Sequence, residues 1–416
     1  MAPMNDPVVV CGALVGLLGY RISVRSMRIQ KGIRKRFGRG ALLFQYYAWI
    51  FVMMLVIIAL SGNYIMLYDA AILSTDSGME QSLRQTLSSV PRMQPEVAEL
   101  WVDQLAVGPN LRVLSLVSLV AAVLTFVVAF SHVYWLVSED ATGIPWFPAY
   151  RQDLVLQVLM LPPIYATMSL RNVVRMWSIM LGTGWSGQVS EGGWEWSDFV
   201  RDNMGTYEDN FAVANLAEIY AVWCYSKLCL NLLKDSIKTA DIRATLARVT
   251  MQGIHSFMLI GSVKVVCSIW LHRLQAHPEL CAEQHTAHLV ASWPWDPQKV
   301  NAVNDFMNAL QILASVQCLY NMVMICAMPQ LRDINPFSKF FGIGVIIVFA
   351  QMQSFFLDSV SICNRGGRFD LSVYQARLLH ASLMCCECLA VSMLHSFAFP
   401  ADDYEQGYMP LTRVKP

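Results

Sequence analysis

Six polar residues at helical spacing run through the apolar stretch 301–322. Asn301, Asn304, Asn308, Gln311, Ser315 and Cys318 recur at intervals of three and four, which places them on one face of a helix. Hydrocarbon offers no partner for a row of carboxamides, so that face must look at protein or at a water-filled cavity. Ala302, Val303, Leu310, Ile312, Leu313 and Val316 then face outward or toward other helices. Two chemistries fit such a stripe: hydrogen bonding across helix pairs, and the lining of a solute pathway.

Two carboxyl groups share the same predicament. Glu218 lies near the middle of the apolar stretch 211–233, on a stripe with Asn215, Tyr225 and Cys229. Glu387 lies near the middle of 375–399, a heptad after His380 and eight residues before His395. A charge at that depth costs several kcal/mol unless it is paired or hydrated, so each carboxyl must face the interior of a bundle. A structural ion pair with Lys227 or Lys264 is one role open to them; a substrate or proton site is the other. Cys385, Cys386 and Cys388 flank Glu387, but only Cys385 and Cys388 share a helix face, so they read as small buried hydrophobes.

Composition excludes several classes. Hydrophobic residues make up 55% of the chain and charged residues 14%, with a mean hydropathy of +0.42, which an ordinary soluble domain does not show. Lys plus Arg and Asp plus Glu number 30 each, so no global field favours a nucleic-acid partner. The eleven cysteines sit mostly inside apolar stretches and form neither a disulfide framework nor a zinc-spaced set, so no metal and no cofactor is expected. With no His-rich box, Gly-x-Ser-x-Gly elbow or HExxH pattern, an enzyme is not expected either.

These groups must be carried through a membrane by helices. Residues 42–67 form a span of about 26 residues where roughly 20 suffice to cross. Seven further apolar stretches follow: 111–137, 154–181, 211–233, 254–271, 303–328, 337–360 and 375–399. The expected fold is all-α, a polytopic membrane helix bundle of seven core transmembrane helices plus one or two extra N-terminal hydrophobic helices. In this division residues 1–40 hold a short apolar segment (8–20) and a basic cytosolic block. Residues 41–110 hold the extra helix and an extracytosolic loop, 111–400 the core, and 401–416 a cytosolic tail. Pro162 and Pro163 remove two backbone donors from the stretch 154–181 and kink it, freeing the carbonyls of Val158 and Leu159. Trp177, Trp185, Trp194 and Trp196, with Trp293 and Trp295, read as an interfacial belt.

Four stretches carry a family resemblance. Ser131-His132-Val133-Tyr134 ends the first core span, and Pro163-Ile164-Tyr165-Ala166 lies in the second. Asn335-Pro336-Phe337-Ser338-Lys339-Phe340-Phe341 leads to Gln353 fourteen residues after the lysine. Glu387 and His395, followed by Phe397-Ala398-Phe399, close the last span. Together they resemble the family that joins organic solute transporter alpha and transmembrane protein 184. The resemblance covers about residues 111–404; Gln157 and Gly344 stand where that family tends to have Arg and Lys. It implies a facilitative transporter, or transporter subunit, for an amphipathic organic solute, working beside membrane lipid and a small single-span partner subunit. Glu218, Asn304, Asn308, Gln311, Glu387 and His395 are the expected solute-binding residues. A non-transporting scaffold or accessory subunit and a seven-helix receptor are the alternatives.

Charge orients the chain. The block 21–39 holds eight Lys or Arg and no acid, whereas 69–110 holds six acids and two bases; the basic block therefore stays cytosolic, as a solvated loop or against anionic lipid. Seven crossings from the outside return the tail 401–416 to the cytosol. Tags placed in the two segments are expected to share one pattern of protease protection in sealed vesicles, and opposite patterns would overturn this topology.

Overall fold

The computed structural model describes residues 61–62, 76–88, 94–138, 149–182, 196–236, 240–276, 297–363 and 371–400. The chain divides into two compact units, 1–62 and 63–416, and the second alone is described below. The segment 8–20, the basic block, the span 42–67 apart from Ser61 and Gly62, and the tail 401–416 lie outside the described residues, as do Trp185, Trp194, Trp293 and Trp295.

Every described element is helical. Among the described residues, five helical stretches are long and apolar enough to cross a membrane: Pro109–Leu136, Leu154–Leu181, Arg248–Ile269, Phe306–Cys326 and Val373–Ala398, with a shorter apolar stretch at Pro336–Ile346. The expected crossing 211–233 is not among the five. It lies within α6 (Trp196–Ser236), a 41-residue helix whose apolar character is diluted by Glu218, Lys227 and several amides. That helix also takes in residues 196–210, part of the connection between the stretches 154–181 and 211–233. Likewise α7 (Ala240–Ala276) extends the fourth crossing well into its preceding loop.

The double proline breaks a helix instead of bending one. α4 (Ala149–Leu159) stops at Met160, and α5 (Leu161–Leu181) restarts with the prolines in its first turn, where a missing N–H deprives no carbonyl within the new helix. Gly182, with φ of +63°, ends α5 in a left-handed cap. α8 (Pro297–Cys326) gives way to a 3₁₀ turn at Pro329–Ile334. Asn335, at φ +46°, then turns the chain into α9 (Pro336–Cys363). Ser372 and Gln375 form a capping box that opens α10 (Val373–Ala398).

α10 is the hub. It packs against α3 (Pro109–Ser138), α5 and α9, while α6 packs against α5 and α7, and α7 carries α8.

The acidic connection 69–110 is not simply a loop. It contains α1 (Asp76–Ser88) and α2 (Pro95–Leu105), whose Leu83, Leu87, Val102 and Leu105 enter one core with Trp177, Trp196, Tyr207 and Leu378. Trp101 meets Trp196 edge-on at 6.2 Å between ring centroids. Trp196 is 2% exposed, and the buried Trp177 donates its indole N–H to Ser115 Oγ at 3.2 Å. These two tryptophans are therefore core residues and not part of a surface belt. Ser372 Oγ donates to the carbonyl of Gln104 at 2.5 Å, and the Gln375 amide donates to that of Ala106, so the cap of α10 also fastens the end of α2. Leu105→Ala is expected to destabilise the fold by about 2–5 kcal/mol, as cavity-forming core truncations do, and to lower the melting temperature of the purified protein. Val97→Ala, on the exposed side of α2, is expected to leave it nearly unchanged. Equal shifts would contradict the packing of this hairpin.

Candidate solute site

The broken helix sets the position of Tyr165, one turn into α5. The Ile164 amide donates to the Met160 carbonyl at 3.2 Å and Thr167 Oγ1 donates to the Pro163 carbonyl at 2.9 Å, which rebuilds the turn around the prolines. The Tyr165 hydroxyl, completely buried, lies 2.8 Å from Glu218 Oε2 and 2.8 Å from Asn215 Oδ1 on α6. It has one proton for two acceptors, and a carboxylate is the stronger of them. Glu218 is 7% exposed. Lys264 of α7 and Cys318 of α8 lie within its electrostatic reach. Four helices thus converge on one buried carboxyl. Lys227, the other cation open to it in sequence, sits 4.2 Å over the Trp223 ring.

The amide stripe turns inward on α8. Asn308, Gln311 and Ser315 are half-buried, and Cys318 and Asn321 are buried, while Ile312, Leu313, Val316, Leu319 and Tyr320 are exposed. The side chains of Asn301 and Asn304 lie outside the described residues. Gln311 presses against Gly261 of α7 beside Ile219 of α6, and Asn321 presses against Gly253. A Cβ at either glycine would collide with these side chains; the glycines are notches that let α8 approach α7 closely. Gln311 Oε1 is closed to solvent and has no hydrogen-bond donor among the described residues. The stripe is therefore an inter-helix seam that keeps an unspent acceptor beside Gly261 and Ile219.

Glu387 and His395 turn to a different helix. Gln353 of α9 donates its amide to Glu387 Oε1. His395, 1% exposed, pairs its Nε2 with the Gly342 carbonyl at 3.1 Å and stands edge-on to Phe399 at 5.7 Å. Both residues clamp α10 to α9. Cys388, next to Glu387 on α10, is buried.

Three of the four stretches that carry the family resemblance touch one another. His132 Nε2 lies 2.9 Å from the Phe399 carbonyl, and Lys339 Nζ lies 5.6 Å from the Phe399 ring centroid. Gly342 and Gln353 meet His395 and Glu387.

Heptad spacing misplaces His380. It faces α6, with Nδ1 2.7 Å from the Tyr207 hydroxyl, in a buried network where Asn210 donates to Asn172 at 2.7 Å and Asn172 donates to the Tyr207 carbonyl at 3.1 Å. Nothing in the one-dimensional spacing of Asn172, Tyr207 and Asn210 singles out this network, because its members come from three helices. His255, grouped in sequence with Ser262, is exposed.

Helices of this length and apolarity define an integral membrane protein. Residues 213–404 match the family model described as organic solute transporter Ostalpha, the same family that the sequence motifs resemble. Glu218, Gln311, Gln353, Glu387 and His395 fall inside the matched region, while Tyr165 and helices α1 to α5 precede it. No curated protein and no solved structure gave a match.

Proposed function

We propose that the chain is a facilitative carrier, or a carrier subunit, for an amphipathic organic solute. Its core has seven crossings, with 211–233 and 337–360 added to the five apolar helices, and its C-terminal tail is cytosolic. The observation that carries this reading is the cluster of Tyr165, Asn215, Lys264 and Cys318 around Glu218, drawn from four helices. A lone structural ion pair needs no third and fourth helix around it. Glu218, Asn304, Asn308 and Gln311 contact the polar part of the solute, and Glu387 adds a second contact from α10. His395, held by the Gly342 carbonyl, positions that helix. The match of residues 213–404 to the organic solute transporter family model supports transport, and the exposed apolar faces of α3, α8 and α9 suit surrounding lipid and a small single-span partner.

A second reading, an accessory subunit that transports nothing, is favoured by the clamps on α9, since side chains engaged in packing are not free for a solute. Flux of labelled amphipathic solutes into proteoliposomes separates the two. The carrier reading expects flux above that of empty liposomes, a large loss of it in Glu218→Gln, and little change in thermal stability, because the carboxamide keeps the shape and loses only the charge. Absence of flux from folded wild-type protein, reconstituted with its partner, would support the accessory reading. Unchanged flux in the variant would remove Glu218 from the site.

A further inference from the structure

Glu387 is provided for differently from Glu218. The Tyr165 hydroxyl hydrogen-bonds Glu218, and Lys264 acts on it. Glu387 has the Gln353 amide as its partner among the described residues. The Gln353 N–H goes to Glu387 Oε1, so two oxygens are left over on this seam, Glu387 Oε2 and Gln353 Oε1. Each is closed to solvent and has no donor among the described residues. The orientation of the Gln353 amide follows from its partner, because a carboxylate accepts and cannot donate. What the seam lacks is therefore a donor. An anionic head group would supply only more acceptors and would be repelled by the carboxylate.

We propose that Glu387 and Gln353 together form an acceptor site for the protonated amino group of an amphipathic solute. An ammonium brings several N–H donors on one small centre, enough for both oxygens, and its charge offsets the carboxylate at a depth where an unpaired ion is costly. Both residues are half-buried while the two oxygens themselves are closed to solvent, so an entering head group must part the α9–α10 seam to reach them. Met352 and Phe356, on the same helix as Gln353, are strongly exposed and offer an apolar surface along which a hydrocarbon tail can lie. The site deepens the carrier reading by naming the solute's head group, and it rests on that reading only for the statement that the bound amine is cargo.

The test is direct binding to the full chain in lipid nanodiscs. The probes are a fluorescent long-chain primary amine, its N-acetylated counterpart and a carboxylate of equal chain length. Wild type is expected to bind the amine at least about tenfold more tightly than either other probe. Glu387→Gln is expected to lose that margin. It remains folded because two facing amides can pair with each other, and a melting curve checks this. Gln353→Leu keeps the charge but removes one acceptor, and is expected to weaken amine binding several-fold. Equal affinity of wild type for the amine and its acetylated form would overturn the proposal. So would unchanged amine binding in Glu387→Gln, which would mean that the second oxygen carries its own proton toward Gln353. Amine binding without flux leaves this site standing and sinks the carrier reading; flux without a preference for the amine does the reverse.

Discussion

Hydrocarbon cannot hydrogen-bond, and that single constraint arranges the described helices. Each polar side chain set within a span must be met by another helix, by water or by a ligand. Glu218 is met by Tyr165 and Lys264, His395 by the Gly342 carbonyl, Asn172 by Asn210. The backbone bends to the same requirement. Pro162 and Pro163 start a helix where they would otherwise damage one, and the new start brings the Tyr165 hydroxyl to the carboxyl. Gly253 and Gly261 give up side chains so that the amides of α8 can reach α7.

Where this constraint has a period, it can be read from sequence. Intervals of three and four placed Asn308, Gln311, Ser315 and Cys318 on one face, and on α8 they do turn away from the exposed Ile312, Leu313 and Val316. What periodicity leaves out is the identity of the facing helix. Lys227 and Lys264 were equal partners for Glu218 in one dimension; rotation about α6 sends the first over Trp223, while the second reaches the carboxyl from α7. His380 and Glu387, one heptad apart, diverge because α10 is surrounded, with α6 on one side and α9 on another. The α1–α2 hairpin escaped notice for another reason. Its acids dominate the count over 69–110, while only four leucines and valines make its buried stripe.

The constraint also separates groups that hold the fold from groups with capacity to spare. The Asn172 network is built into the packing, and His395 is held through Nε2 by the Gly342 carbonyl although its Nδ1 is unmatched among the described residues. Gln311, Gln353 and Glu387 each keep an oxygen that is closed to water and unmatched by a donor among the described residues. Such atoms are costly in a finished membrane protein, and their placement along α8, α9 and α10 is where a carrier would receive the polar part of its cargo.

Everything above depends on α8 presenting its amides to protein and its aliphatic side chains to lipid. Nitroxide scanning of residues 306–322 in nanodiscs, with oxygen accessibility read position by position, measures this directly. The account predicts a helical oscillation, with maxima at Ile312, Leu313, Val316 and Leu319 and minima at Gln311, Cys318 and Asn321. A flat profile, or one with its maxima on the amides, would contradict it.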